Sequence, residues 1–193
     1  MSKGPSRPTQ YHRFEFKARC YDSSSGEIRL GYQLDDLELC ERFYLPIQNV
    51  SLKPAVTEAV SRAVDLLHLI AGISYWKMFC PPSISLGTHA LDQRQAHALR
   101  EIYLKGLGEF AWHHELSLGD RLRFEANLPT ENATPHANQV GVGEALLLPL
   151  GGGKDSVVAW QRLFSRIGHE QIMGVQVGTS PLIRSLGEWM VSE

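Results

Sequence analysis

Six consecutive residues, Gly151-Gly152-Gly153-Lys154-Asp155-Ser156, carry the clearest chemistry in the chain. Glycines let a backbone curl until successive N–H groups point at one spot. A helix starting there adds its positive end, so the pattern suits a phosphate group. Lys154 brings a cation, Ser156 a hydroxyl, and Asp155 a carboxylate that either positions a magnesium ion or caps the helix. The structural alternative is a tight strand-to-helix turn with no ligand. Two familiar phosphate loops do not fit. A Walker-type loop wants glycine where the chain has Leu148, and Ser or Thr where it has Asp155. A dinucleotide fold accepts Gly151, Gly153 and Ser156 as its spaced small residues. It also wants an acid after the next strand, where Gly178-Thr179-Ser180 supplies none.

Other polar residues are weaker candidates. His113-His114-Glu115 has the residue types of a metal or catalytic site, but adjacent side chains point apart, and the run reads as a surface turn. Cys80, followed by two prolines, is either a tuned thiol or, in the preferred reading, a buried cysteine at a strand end. Asp35-Asp36 reads as a turn. Glu109 is the acid best placed for a ligand, because Gly106 and Gly108 beside it would allow close approach to the backbone. No proton-transfer pair is identifiable.

The glycine run must be held by its flanks. Ala145–Leu150 is continuously apolar and reads as a buried strand, Lys154–Ile167 as a helix, Gln171–Gly178 as a second strand, and Pro181 opens another helix. Strand, helix, strand, helix is the start of a parallel α/β layer. Two strands and two helices are too few to cover such a sheet on both faces, which predicts a fragment or strands supplied from elsewhere.

Upstream, residues 12–20 alternate Phe14, Phe16, Ala18 and Cys20 with charged residues, which predicts a half-buried strand with those four facing inward. The turn Asp22–Gly26 returns the chain through Glu27–Leu34, and Leu37–Leu45 completes an antiparallel meander before Pro46. A first helix is expected over 53–71, with Val56, Val60, Ala63, Val64, Leu67 and Ile70 on its apolar face. A short apolar segment, Ile73–Cys80, follows it. Asp92, with Gln95 three residues on, caps a second helix that turns Leu91, Ala98, Leu99 and Ile102 inward until Gly106 and Gly108 weaken it. Arg121–Leu128 alternates again and reads as a strand. Pro129–Gly143 has almost nothing to bury and reads as a linker. The expected organisation is a disordered tail over 1–11, an α+β domain of antiparallel strands with helices over 12–128, a linker over 129–143, and a truncated α/β nucleotide-binding domain beginning at 144–193.

Composition narrows the function classes. A chain of 193 residues is long enough to bury about 70% of its unfolded surface. Nineteen basic against 21 acidic residues leave a formal charge of −2, which provides no field for nucleic acid. The basic tail (Lys3, Arg7, Arg13, Lys17, Arg19) reads as a solvated terminus. No apolar run approaches the roughly 18 residues of a membrane span, and the polar N-terminus does not resemble a signal peptide. Cys20, Cys40 and Cys80 are odd in number and widely spaced, without a CxxC, which fits a reducing cytoplasm.

The glycine run resembles the PP-loop of ATP pyrophosphatases, SGGxDS, with Gly152, Gly153, Asp155 and Ser156 matching. Lys154 stands in the variable place, and Gly151 replaces the opening serine with the loss of one hydroxyl. Tyr75-Trp76-Lys77-Met78-Phe79-Cys80-Pro81-Pro82, then Gly106-Leu107-Gly108-Glu109-Phe110-Ala111-Trp112, then GGGKDS, in that order, resemble the ATP-dependent UDP-N-acetylmuramoyl-L-alanyl-L-glutamate epimerases of bacterial wall synthesis. The resemblance spans residues 12 to 193, and members of that family are longer. It implies a PP-loop (adenine nucleotide alpha hydrolase-like) domain and an isomerase of peptidoglycan precursor synthesis in the cytoplasm. ATP would adenylate the glutamate carboxylate, a base and an acid would exchange its α-proton, and AMP and pyrophosphate would leave. It further implies that Gly151, Gly152, Gly153, Lys154 and Ser156 contact pyrophosphate, that Asp155 contacts magnesium, and that adenine lies near Val175–Gly178. The implied partner is the UDP-muramoyl dipeptide, without nucleic acid or membrane. Another adenylating enzyme (an amidotransferase or a tRNA-modifying enzyme) and a noncatalytic nucleotide-binding module are the competing readings.

Overall fold

The computed structural model describes residues 11–45, 54–128 and 145–178, with Pro181, Arg184, Ser185 and Glu188. The expected tail, apart from Tyr11, and the expected linker over 129–143 lie outside the described residues. The chain divides into two compact units, residues 1–140 and 141–193.

The first unit is α+β. Strands β1 (Arg13–Asp22), β2 (Glu27–Leu34) and β3 (Leu37–Tyr44) form the expected meander, closed at one end by the Ser23–Gly26 turn. At the other end Asp35, at φ 47°, turns the chain while its carboxylate accepts the backbone N–H groups of His12 and Arg13. The sheet is mixed rather than purely antiparallel. A strand that the sequence did not announce, β4 (Ser83–Ser85), pairs parallel with β1, giving the order β3-β2-β1-β4.

A break in register between Phe16 and Arg19 alters β1. Phe14 and Phe16 face the core as expected, but an inserted residue reverses the alternation beyond them. Cys20 is exposed, and Arg19, read as outward, reaches Asp65 on the first helix.

Helix α1 (Pro54–Trp76) runs past residue 71 and absorbs half of the expected apolar segment. Its buried line is Val64, His68, Gly72 and Trp76, in steps of four, whereas Ala63 and Ile70 are exposed. His68 and Gly72 disguised this face because one is polar and the other has no side chain. Gly72 is required by close approach, since a Cβ there would lie 2.6 Å from the Phe16 ring. On α2 (Gln93–Gly106), Asp92 and Gln95 form the expected capping box. The buried residues are Ala96, Leu99 and Tyr103, while Ala98 and Ile102 face outward. A short helix, α3 (Gly108–His113), follows.

Residues 121–128 are not a strand. Leu122 and Phe124 are buried in alternation, but no ladder partner lies alongside among the described residues. The segment is held instead by Arg100 Nε donating to Leu122 O, and by Asn127 and Leu128 N–H donating to Leu91 O.

The second unit contains β5 (Leu146–Pro149), α4 (Lys154–Ile167), a 3-10 turn (His169–Gln171) and β6 (Ile172–Val175). Its two strands pair in parallel, Leu146 opposite Ile172. Pro181, Arg184, Ser185 and Glu188 are helical. The apolar strands are shorter than expected, and β5 is not buried: Leu147 is 61% exposed, as is Met173 at 62% on β6. Its buried cluster among the described residues is Leu150 and Trp160.

Candidate functional site

The glycine run leaves β5 through Leu150, whose N–H donates to Val175 O at 2.8 Å and ties the start of the turn to β6. Gly152 has φ 75°, a left-handed conformation that suits glycine. The other two glycines are not demanded by the backbone. A Cβ on Gly151 would meet only the Ser156 hydroxyl at an ordinary 3.9 Å, and a Cβ on Gly153 would meet nothing within 4 Å. They leave open space where two side chains would fit.

Gly153 is the N-cap of α4, with no side-chain cap, so the first N–H groups of a 14-residue helix are not satisfied by a capping side chain. Asp155 lies in the first turn, exposed, without a hydrogen bond or ion pair among the described residues, as does Lys154. The Ser156 hydroxyl oxygen accepts the Gly151 N–H at 3.1 Å, closing the turn and leaving its own proton to donate elsewhere. All six candidate residues are thus brought together by one strand-to-helix turn. Its free donors, lone cation and uncommitted carboxylate are suited to an oligophosphate with a divalent ion.

The other candidates stand apart from that chemistry. His113, His114 and Glu115 are exposed at the end of α3, and no group of three or more His, Cys, Asp or Glu among the described residues could hold a metal. The Glu109 side chain is 89% exposed, with His113 3.7 Å away. Cys80 is buried beyond the C-terminus of α1 rather than at a strand end, and burial raises its thiol pKa.

A buried pair, His68 and His89, stands outside the candidates that residue type and spacing single out. Gly31 O lies 2.8 Å from His68 Nε2, so that nitrogen carries the proton. His68 Nδ1 then accepts from His89 Nε2, also at 2.8 Å. Burial holds both imidazoles below their ordinary pKa, His89 at about 4, helped by the Arg19 charge. The pair is covered by Phe16 and Tyr32 and serves the core, not a ligand. Only the unusual placement of His68 on an apolar helical line could have signalled it.

A family model describing the MurL N-terminal domain matches residues 5–191. The chain belongs to the MurL N-terminal domain family. That match takes in both the α+β unit and the glycine turn. Among curated proteins, the chain is 36% identical over 180 residues to a UDP-N-acetyl-α-D-muramoyl-L-alanyl-L-glutamate epimerase of Xanthomonas oryzae pv. oryzae, covering 93% of this chain and 39% of that relative. An identically named protein of Salinispora tropica is 32% identical over 154 residues, 78% of this chain and 33% of its own length. A third, from a Micromonospora strain, is 29% identical over 154 residues, 78% and 34%. The chain therefore spans between a third and two fifths of the curated relatives it matches. No solved structure matches it. Among the described residues no helix is long and apolar enough to cross a membrane.

Proposed function

We propose that the protein acts in peptidoglycan precursor synthesis as an ATP-dependent epimerase. It would convert the terminal L-glutamate of UDP-N-acetylmuramoyl-L-alanyl-L-glutamate to D-glutamate. The observation that carries this is the 36% identity over 93% of the chain to a relative of that name. The turn at residues 151–156 supplies a chemical reason for ATP and magnesium. The proton next to a carboxylate is very weakly acidic, because its loss places a second negative charge beside the first. Bound ATP would supply an AMP group that masks the carboxylate charge, with AMP and pyrophosphate as the released products.

The residues have separable roles in this reading. Gly151 and Gly153 keep side chains out of the way of the phosphates, and Gly152 sets the curl. The uncapped α4 N-terminus and Lys154 draw the negative charge, and Ser156 donates its hydroxyl proton. Asp155 holds magnesium. One carboxylate is enough for that ion, which usually keeps several waters and takes other ligands from phosphate. Adenine would sit near Val175–Gly178, after β6.

Incubation with ATP, magnesium and the muramoyl dipeptide in deuterated water tests the proposal. Pyrophosphate release together with deuterium at the glutamate α-carbon is expected. Pyrophosphate without deuterium would point to a different adenylating reaction, and neither signal to a noncatalytic nucleotide-binding role.

A further inference from the structure

Among the described residues the two edges of the first sheet are unlike. At one edge β4 is three residues long, and short edge strands resist further pairing. At the other, β3 presents eight residues, LELCERFY, paired to β2 in unbroken register with no bulge, proline or lysine to blunt it. Leu45 N–H donates to Gly26 O, so position 45 faces β2. Alternation then leaves the backbone N–H and C=O groups of Glu38, Cys40 and Arg42 pointing off the sheet.

The outer-face charges along this edge, Glu38 and Arg42, are self-complementary. Turned about a two-fold axis at Cys40, the strand places Glu38 opposite Arg42 of a second copy, twice, and Leu37 opposite Phe43, twice. It also matches outward-facing backbone groups with one another. Centring one residue later sets Glu41 against Glu41. Centring one earlier pulls Asp35 of the tight turn into the ladder. Within one chain the charges are poorly served. Arg42 lies directly opposite Arg29, both leaning on Glu27 at 3.7 and 3.5 Å, and Glu38 has no ion-pair partner among the described residues. A second copy would give Arg42 an anion of its own and Glu38 a cation.

We propose that two copies of this chain pair antiparallel through β3, centred on Cys40, to form one continuous sheet. A single strand edge is a small interface, so association belongs in the micromolar range. Cys40 is exposed, and the two Cys40 Cα atoms would lie about 5.5 Å apart, within reach of a disulfide. Cys20, also exposed but on the inner strand β1, would have no such neighbour.

Sedimentation of the full 193-residue chain across the micromolar range tests this, with charge reversals and copper–phenanthroline oxidation. Glu38→Arg and Arg42→Glu should each weaken the dimer about tenfold by setting like charges opposite, and the double variant should restore it. Oxidation should link the dimer in wild type and in Cys20→Ser, but not in Cys40→Ser. A chain that stays monomeric, a dimer indifferent to both single reversals, or cross-linking through Cys20 would overturn the proposal. If circular dichroism shows that a reversal unfolds the chain, the cysteine pattern alone decides.

Discussion

The two units invest very differently in their interiors. In the first, eighteen buried residues among those described form one cluster, and aromatic rings of β1, β2 and α1 stack within it. In the second, Leu150 and Trp160 are the buried pair among the described residues, and much of the apolar surface of β5, α4 and β6 is exposed. The turn proposed to hold phosphate belongs to the thinner unit. The larger core and the proposed site are thus separated along the chain, and a substitution can be aimed at either.

The largest expected effect is at Trp160. Truncating a buried tryptophan costs about 3–5 kcal/mol. Spread over the cluster around Trp76, that loss lowers stability without removing the core. In a unit whose described residues bury only Leu150 and Trp160, it removes that support altogether. Trp160→Ala should abolish hydrogen-exchange protection over 145–178 while 11–128 stays protected, and Trp76→Ala should shift the urea midpoint of 11–128. If 145–178 remains protected without Trp160, the contrast between the units is wrong.

The next effect is confined to the first unit. His89 has a folded pKa of about 4 against an ordinary 6.5, so between those values the unfolded chain binds more protons. Stability of 11–128 is therefore fully present above about pH 6.5 and falls as the pH is lowered toward 4, by about 3 kcal/mol in all. Protonating His68 Nδ1 would also turn two donors toward each other. Urea midpoints across this interval should show the slope, and His89→Gln should flatten it. An unchanged slope in His89→Gln would place the acid sensitivity elsewhere.

These two regions were also unequally legible. The meander, the α2 capping box and the strand–turn–helix around Gly151 to Ser156 follow local rules of alternation, capping and turn chemistry, and such rules can be read from a single segment. What escaped depends on partners distant in sequence. The register shift in β1 exposes Cys20 and turns Arg19 toward Asp65. His68 joins the α1 core because His89 and Gly31 O satisfy its ring nitrogens. Leu122 and Phe124 alternate like a strand, but their backbone has no neighbouring strand to pair with among the described residues. That Gly151 to Ser156 share one strand-to-helix turn was legible because glycine runs and helix starts are set locally. Residues for the proposed proton transfer were not, since nothing local marks which acid would approach a substrate carbon.

Helix starts sharpen the comparison at smaller scale. Asp92 caps α2 through Gln95 N–H at 2.8 Å, and Gln95 returns a bond at 3.0 Å. Asp92→Ala should destabilise the first unit by about 1 kcal/mol, measured by urea denaturation. At α4 the equivalent position is Gly153, in the extended conformation (φ −87°, ψ 169°) that a capping residue adopts, with room for a side chain. Serine there would cap the helix and stabilise the second unit by a few tenths of a kcal/mol. Its hydroxyl would also engage the N–H groups and space that the phosphates are proposed to use. Gly153→Ser should therefore raise the stability of 145–178 slightly while weakening binding of a non-hydrolysable ATP analogue about tenfold, the loss of one hydrogen bond to a charged group. Opposite signs in the two measurements are what a ligand-binding glycine requires. A serine variant that is more stable and binds the analogue as well as wild type would reduce the turn to a connection between β5 and α4.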